Sequence, residues 1–164
     1  MKSLVIAAAS AALSLAALPA VSQAQEVYGT IGYAGVDADG ADLGAIQGRL
    51  GYKFNRYIGV EGEAAFGVSG GNVGAVDVDL KHEFGAFVVG TAPVSDQFDL
   101  FARVGYTGSE FDTSLGDVSD DGFAYGVGGQ FNFTAKDGLR LDWTHHDYDI
   151  GDADVWSIGY ARKF

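Results

Sequence analysis

Cysteine is absent from all 164 residues, which excludes disulfide staples and thiolate-held zinc. Proline occurs only twice, so little interrupts extended structure. Bases are scarce: ten Lys and Arg stand against 22 Asp and Glu, a net charge of −12, and removal of Lys2 would deepen it by one. So acidic a chain is a poor nucleic-acid or heparin binder, and no nucleic-acid partner is expected. After residue 24 no run approaches the ~18 apolar residues of a spanning helix. What is abundant is glycine, at 25 residues, and aromatic side chains, at 13%, a composition of β structure rather than disorder.

The opening "MKSLVIAAASAALSLAALPAVSQAQE" has a basic start, an Ala/Leu-rich middle and small residues before Gln25. It reads as a secretory signal peptide cleaved after Ala24, since Ser residues and Pro19 interrupt it too often for an anchor helix. The expected organisation is a signal at 1–24 and one domain at 25–164.

Period-2 alternation bounded by turn residues gives eight segments, near 26–35, 44–54, 57–68, 77–90, 97–107, 122–133, 139–148 and 154–164. Tight turns fall at "NR" (55–56), "TAPVSD" (91–96) and "TAKDG" (134–138). Longer Asp- and Gly-rich loops are expected at 36–43, 69–76, 108–121 and 149–153. An even number of strands, with short turns at one end and longer loops at the other, predicts an all-β fold. It is an eight-stranded antiparallel up-and-down transmembrane β-barrel, preceded by the cleaved signal peptide.

Parity separates the two faces. In "YIGVEGEAAFGV" (57–68), Glu61 and Glu63 share one face and the other is wholly apolar. Outward faces then read Ile46, Gly48, Leu50, Tyr52 and Phe54, or Phe98, Leu100, Ala102, Val104 and Tyr106, with Arg162 the one charge near the end. The inward face carries Arg49, Lys53, Lys81, Arg103, Arg140 and Lys163 against Glu61, Glu63, Asp79, Glu83, Asp99 and Asp142. A narrow lumen hydrates charge poorly, so these should pair. The expected network is Arg49, Glu61, Glu63, Lys81, Glu83, Arg103, Arg140 and Asp142, with Glu61 and Glu63 facing Arg49 and Arg103. The remaining excess acids lie in or beside the longer loops, which contain no Lys or Arg.

With "FDLFARVGYTGSEFD" (98–112), "FAYGVGGQFNF" (123–133) and the ending "VWSIGYARKF", the chain resembles the OmpA/OmpX-like eight-stranded outer-membrane barrels, in particular the small single-domain "porin family". The resemblance spans 26–164. It implies residence in the cell outer membrane of a Gram-negative-type envelope, contact with outer-membrane lipids and lipopolysaccharide, and insertion by the barrel-assembly machinery. The implied assembly signal is Trp156, Ile158, Tyr160 and Phe164; Arg162 stands where the family usually has an aromatic.

A mainly structural membrane protein, monomeric and without cofactor, follows. Eight strands enclose a space that side chains fill, so a narrow ion path is the lesser alternative. Lipid A-modifying chemistry needs a nucleophile beside a base, and neither outward histidine, His82 or His145, has a serine in place; no enzyme is expected. "DADGAD" (37–42) lacks the spacing and closing Glu of a calcium loop. The rim acids Asp37, Asp39, Asp42, Asp147, Asp149, Asp152 and Asp154 are candidates for shared divalent cations. A loop-mediated adhesin or receptor-binding protein is the other alternative.

Overall fold

The computed structural model describes residues 25–38, 41–69, 71–73, 76–113, 116–149 and 151–164, and the expected signal segment lies outside them. Side chains at 38, 41–43, 69, 71–73, 76–81, 111–113 and 116–120 are likewise outside the description. Nine strands occur among the described residues: β1 (Glu26–Ala38), β2 (Ala41–Lys53), β3 (Ile58–Ser69), β4 (Gly71–Val73), β5 (Val76–Pro93), β6 (Phe98–Thr113), β7 (Gly116–Asn132), β8 (Asp137–Tyr148) and β9 (Gly151–Lys163). Each pairs antiparallel with its sequence neighbour, except that β3 pairs with β5 and the short β4 extends that same edge. β9 pairs with β1 from Lys163↔Tyr28 to Ala153↔Ala38, which closes the sheet. The result is a closed antiparallel barrel of eight staves, one of them β3 and β4 in line.

Three turns lie at one end, with Asn55, Ser95 and Thr134 side chains each accepting backbone N–H groups within the turn. At the other end the expectation of long loops is overturned. β1 runs to Ala38 and β2 begins at Ala41; β6 runs to Thr113 and β7 begins at Gly116; β8 ends at Tyr148 and β9 begins at Gly151. The segments 36–43, 69–76, 108–121 and 149–153 are therefore mostly paired strand. Alternation fades there because both faces of a strand that has left the bilayer meet water, while the backbone ladder needs no apolar face to continue. β5, β6 and β7, at 18, 16 and 17 residues, are the longest and carry the sheet farthest beyond the rest.

The parity assignment holds along most of the wall. Ile31, Tyr33, Phe66, Phe123, Leu141 and Trp156 point outward at 50–67% exposure, while Gln47, Arg49, Glu61, Glu63, Arg103 and Arg140 point inward at 6% or less. This is a core turned inside out, apolar toward lipid and polar within. Two details depart from the pattern. Tyr52 has outward parity yet is 8% exposed, its ring edge-on to Phe54. Between Leu80 and His82 the register against β6 shifts, which breaks the alternation that assigned Asp79 and Lys81 inward; both side chains lie outside the described residues.

A closed wall leaves small tolerances, and glycines test it. A Cβ at Gly105 would stand 2.1 Å from the Ala86 carbonyl oxygen, whereas at Gly48, which faces outward, nothing lies within 4 Å. Overpacking costs about 1–3 kcal/mol. Gly105→Ala should lower the unfolding midpoint in detergent clearly, and Gly48→Ala should leave it near wild type; equal midpoints would mean that the wall is looser than described.

Candidate functional site: the charge lattice of the lumen

Six charged side chains from four staves meet midway along the barrel. Register places Arg49 of β2 directly opposite Glu63 of β3, and Asp142 of β8 opposite Ser157 of β9. Arg49 spans the lumen from there. Its Nε donates to Glu63 Oε2 at 2.6 Å, and its Nη1 and Nη2 donate to the two oxygens of Asp142 at 2.6 and 2.8 Å. Ser157 supports that fork, accepting from Arg49 Nη2 at 3.1 Å and donating to Asp142 at 2.9 Å.

Arg103 of β6 donates from Nη2 to the same Glu63 oxygen at 2.6 Å, and its Nη1 stands 3.3 Å from Glu61 Oε1. Arg140 of β8 donates to Glu61 Oε2 at 2.8 Å and to Oε1 at 3.3 Å, and the Tyr28 hydroxyl donates to Glu61 at 2.8 Å. Room for the Tyr28 ring comes from Gly51, where a Cβ would stand 2.1 Å from it. Three guanidiniums and three carboxylates thus close on one another with balanced charge.

Some donors find no acceptor: Arg103 Nε and Nη1 and Arg140 Nε make no hydrogen bond. Aromatic faces stand in. The Arg103 guanidinium carbon lies 3.5 Å from the Phe87 ring centre and that of Arg140 3.9 Å from Phe101, cation–π contacts that strengthen where water is excluded.

The expected network is thus partly redrawn. Arg49, Glu61, Glu63, Arg103, Arg140 and Asp142 come together, but Glu83 does not join them, and the Lys81 side chain lies outside the described residues. Glu83 accepts from Ser109 at 2.9 Å and from Tyr148 at 2.8 Å, nearer the hairpin end. His146, 1% exposed, sits beside them with Nδ1 2.9 Å from the Tyr148 hydroxyl and 3.3 Å from Thr107 Oγ1. Tyr148 also belongs to an apolar layer with Ala34, Val36, Ala45, Ala65, Ala153 and Val155. At the turn end, Lys53 and Lys163 both reach Glu26, at 3.5 and 3.6 Å, and Asp99 accepts from Asn132.

Phe87, Phe101, His146 and Tyr148 escaped the sequence reading, although each shares parity with an inward charge, and Tyr28 escaped it on a stave for which no inward charge was expected. The rule that inward means polar hid them.

Of the rim acids, Asp37, Asp147, Asp149 and Asp152 are exposed, and the side chains of Asp39 and Asp42 lie outside the description. Asp154 is engaged: Trp143 Nε1 donates to it at 3.2 Å and His145 Nδ1 lies 2.9 Å away. No group of three or more His, Asp or Glu among the described residues has the geometry to hold a metal. Trp156, Ile158 and Tyr160 project outward from β9 and Phe164, just past its end, is exposed, while Arg162 pairs with Asp137 at 3.3 Å.

The family profile described as outer membrane protein beta-barrel domain matches residues 5–164. Among characterised proteins, Outer membrane protein X of Escherichia coli K12 is similar, 27% identical over 170 residues, covering 97% of this chain and 96% of that protein. Ail of Yersinia pestis, solved with the heparin analogue sucrose octasulfate, superposes with a TM-score of 0.63 at 22% identity, covering 87% of this chain and 100% of the other. The N-terminal β-barrel domain of Pseudomonas aeruginosa OprF gives 0.66 at 12% identity, with the same coverages. At such identities the two structures speak for the fold alone.

Removing one member of a buried ion pair strands the other, at about 3–5 kcal/mol. Arg103→Ala should therefore lower the unfolding midpoint far more than Lys136→Ala, which removes a charge from an exposed turn. Matching midpoints for the two variants would refute the lattice.

Proposed function

The chain belongs to the outer membrane protein beta-barrel family, and on that premise we propose that it serves the envelope mainly as a structural element whose lumen is shut. Its place is the cell outer membrane, where relatives of this fold reside, and its apolar outer face meets lipid. The observation that carries the closed reading is the Arg49 fork, which crosses the lumen to Asp142 while held by Glu63 on its own side. An apolar layer between the lattice and the hairpin end adds a second barrier. Ion flow would have to part both.

The mature chain begins at Gln25 after signal cleavage, and the barrel acts as a monomer without catalytic chemistry. Insertion by the barrel-assembly machinery would read the outward Trp156, Ile158 and Tyr160 of β9 together with Phe164 that follows it. No polyanion of the kind held by Ail suits the hairpin end of this barrel, because the segments 36–43, 69–76, 108–121 and 149–153 contain no Lys or Arg. A second reading, recognition of a cationic partner, is favoured by the reach of β5, β6 and β7 beyond the other staves together with that acidity. The exposed acids of the rim, joined by Asp39 and Asp42, would share divalent cations from solution.

In planar bilayers the wild-type barrel should show no steady conductance, while the triple variant Arg49→Ala/Asp142→Ala/Tyr148→Ala, which removes the cross-lumen fork and the largest side chain of the apolar layer together, should give discrete current steps. Steps of equal size in both would overturn the closed reading. Millimolar calcium or magnesium should raise the melting temperature beyond the effect of sodium at matched ionic strength, by binding the folded rim alone. Replacing Asp147, Asp149, Asp152 and Asp154 together by Asn should erase that difference; an undiminished response would show the cations bind elsewhere.

A further inference from the structure

The outer face is not uniformly convex. A cleft of about 620 Å³ lies across β1, β9, β8 and β7, walled by Tyr33, Trp143, Trp156, Val127, Leu141 and Ile158. One outward glycine and a row of inward-pointing residues shape it. At Gly35 a Cβ would meet only the Trp156 carbonyl oxygen at 4.0 Å, so the space above it is open. Gly128, Asp142 and Ser157 lie side by side in register with their side-chain positions toward the lumen, so along that row only backbone faces outward. This backbone row is the floor of the cleft, and the missing side chain at Gly35 leaves its end open.

Depth identifies the leaflet. Just above the cleft, toward the hairpin end, the outward positions turn polar, with Asp154 bound by Trp143 and His145. Toward the turn end the same face continues apolar through Leu139 and Tyr160. The cleft therefore opens into the outer-leaflet half of the lipid zone, with Trp143 and Trp156 at its upper edge as interfacial residues. It is continuous with the face that meets lipid, so what fills it is lipid.

We infer that this cleft is a seat for an acyl chain of lipopolysaccharide, the glycolipid of the outer leaflet. The inference rests on the outer-membrane reading and adds a specific contact to it. Recognition falls on the chain rather than on the phosphates, because the polar positions above are Asp37, Asp154 and His145, with no Lys or Arg to hold a phosphate. An open groove between flat aromatic walls suits a flexible methylene chain.

Trp143 and Trp156 are the only two tryptophans, so intrinsic fluorescence reports on this cleft. The refolded mature barrel would be placed in bilayers of phosphatidylcholine with brominated acyl chains, which quench tryptophan on contact, and then titrated with unbrominated lipids. Lipopolysaccharide should restore fluorescence several-fold more steeply than its share of the acyl chains, and unbrominated phosphatidylcholine only in proportion. Gly35→Leu, which fills the cleft, should abolish the excess, whereas Gly48→Leu, on the outer face away from it, should keep it. Proportional recovery with both lipids in wild type, or an excess undiminished in Gly35→Leu, would overturn the inference. The wild-type comparison decides even if Gly35→Leu folds poorly. A heat-dependent shift in gel mobility, read on the same samples, reports the closed barrel separately, so a failed seat is distinguishable from a failed fold.

Discussion

Glu63 accepting from two guanidiniums is the contact around which the lumen is arranged. Arg49 and Arg103 reach it from different staves, and Arg49 passes the constraint on to Asp142 across the lumen. Burying six charges is costly, and an apolar filling of the same volume would often be as stable. What the charges contribute is register. A slip of one residue along any of the four staves that carry the lattice would turn its lumen charges toward hydrocarbon and strand their partners. The lattice therefore penalises every misaligned closure far more than an apolar filling would.

Much of this was legible in the residues. Glu61 and Glu63 on alternate positions, opposite an unbroken apolar face, indicated a barrel with its polar side in. The counterions Arg49 and Arg103 were identifiable because strand parity repeats faithfully inside a bilayer. Parity gave less wherever the bilayer stops acting. The hairpins at the acidic end looked like loops, since strands wet on both faces lose their alternation. A bulge beside Lys81 removed the basis for placing Asp79. The separation of Glu83 from the lattice was invisible, because it depends on Ser109 and Tyr148 reaching it first from neighbouring and distant staves.

The inward aromatics are the other hidden element, and they explain why the lattice needs no further acceptors. Phe87 and Phe101 offer ring faces to Arg103 and Arg140, which occupies volume that would otherwise hold water. Their bulk is also felt in the wall. Gly128 yields its inner space to Phe101 and Asp142, so the interior leaves no room for a side chain at that position.

The lattice also bears on how such a wall can form in time. Arg49 and Glu63 are 14 residues apart in sequence, Arg103 and Glu63 are 40, Arg140 and Glu61 are 79, and Arg49 and Asp142 are 93. Contacts of that span assemble late, because the intervening loop must be closed before they yield anything. A sheet that has advanced only through β7 holds Arg49 and Arg103 against Glu61 and Glu63, balanced in sign but set on an open face, and entry into hydrocarbon would strip that face of water. β8 adds Arg140 and Asp142, and the face is enclosed only when β9 pairs with β1. Insertion and completion of the chain are thereby locked into one event, and a partly built sheet stays at the membrane surface until its last two strands are in hand.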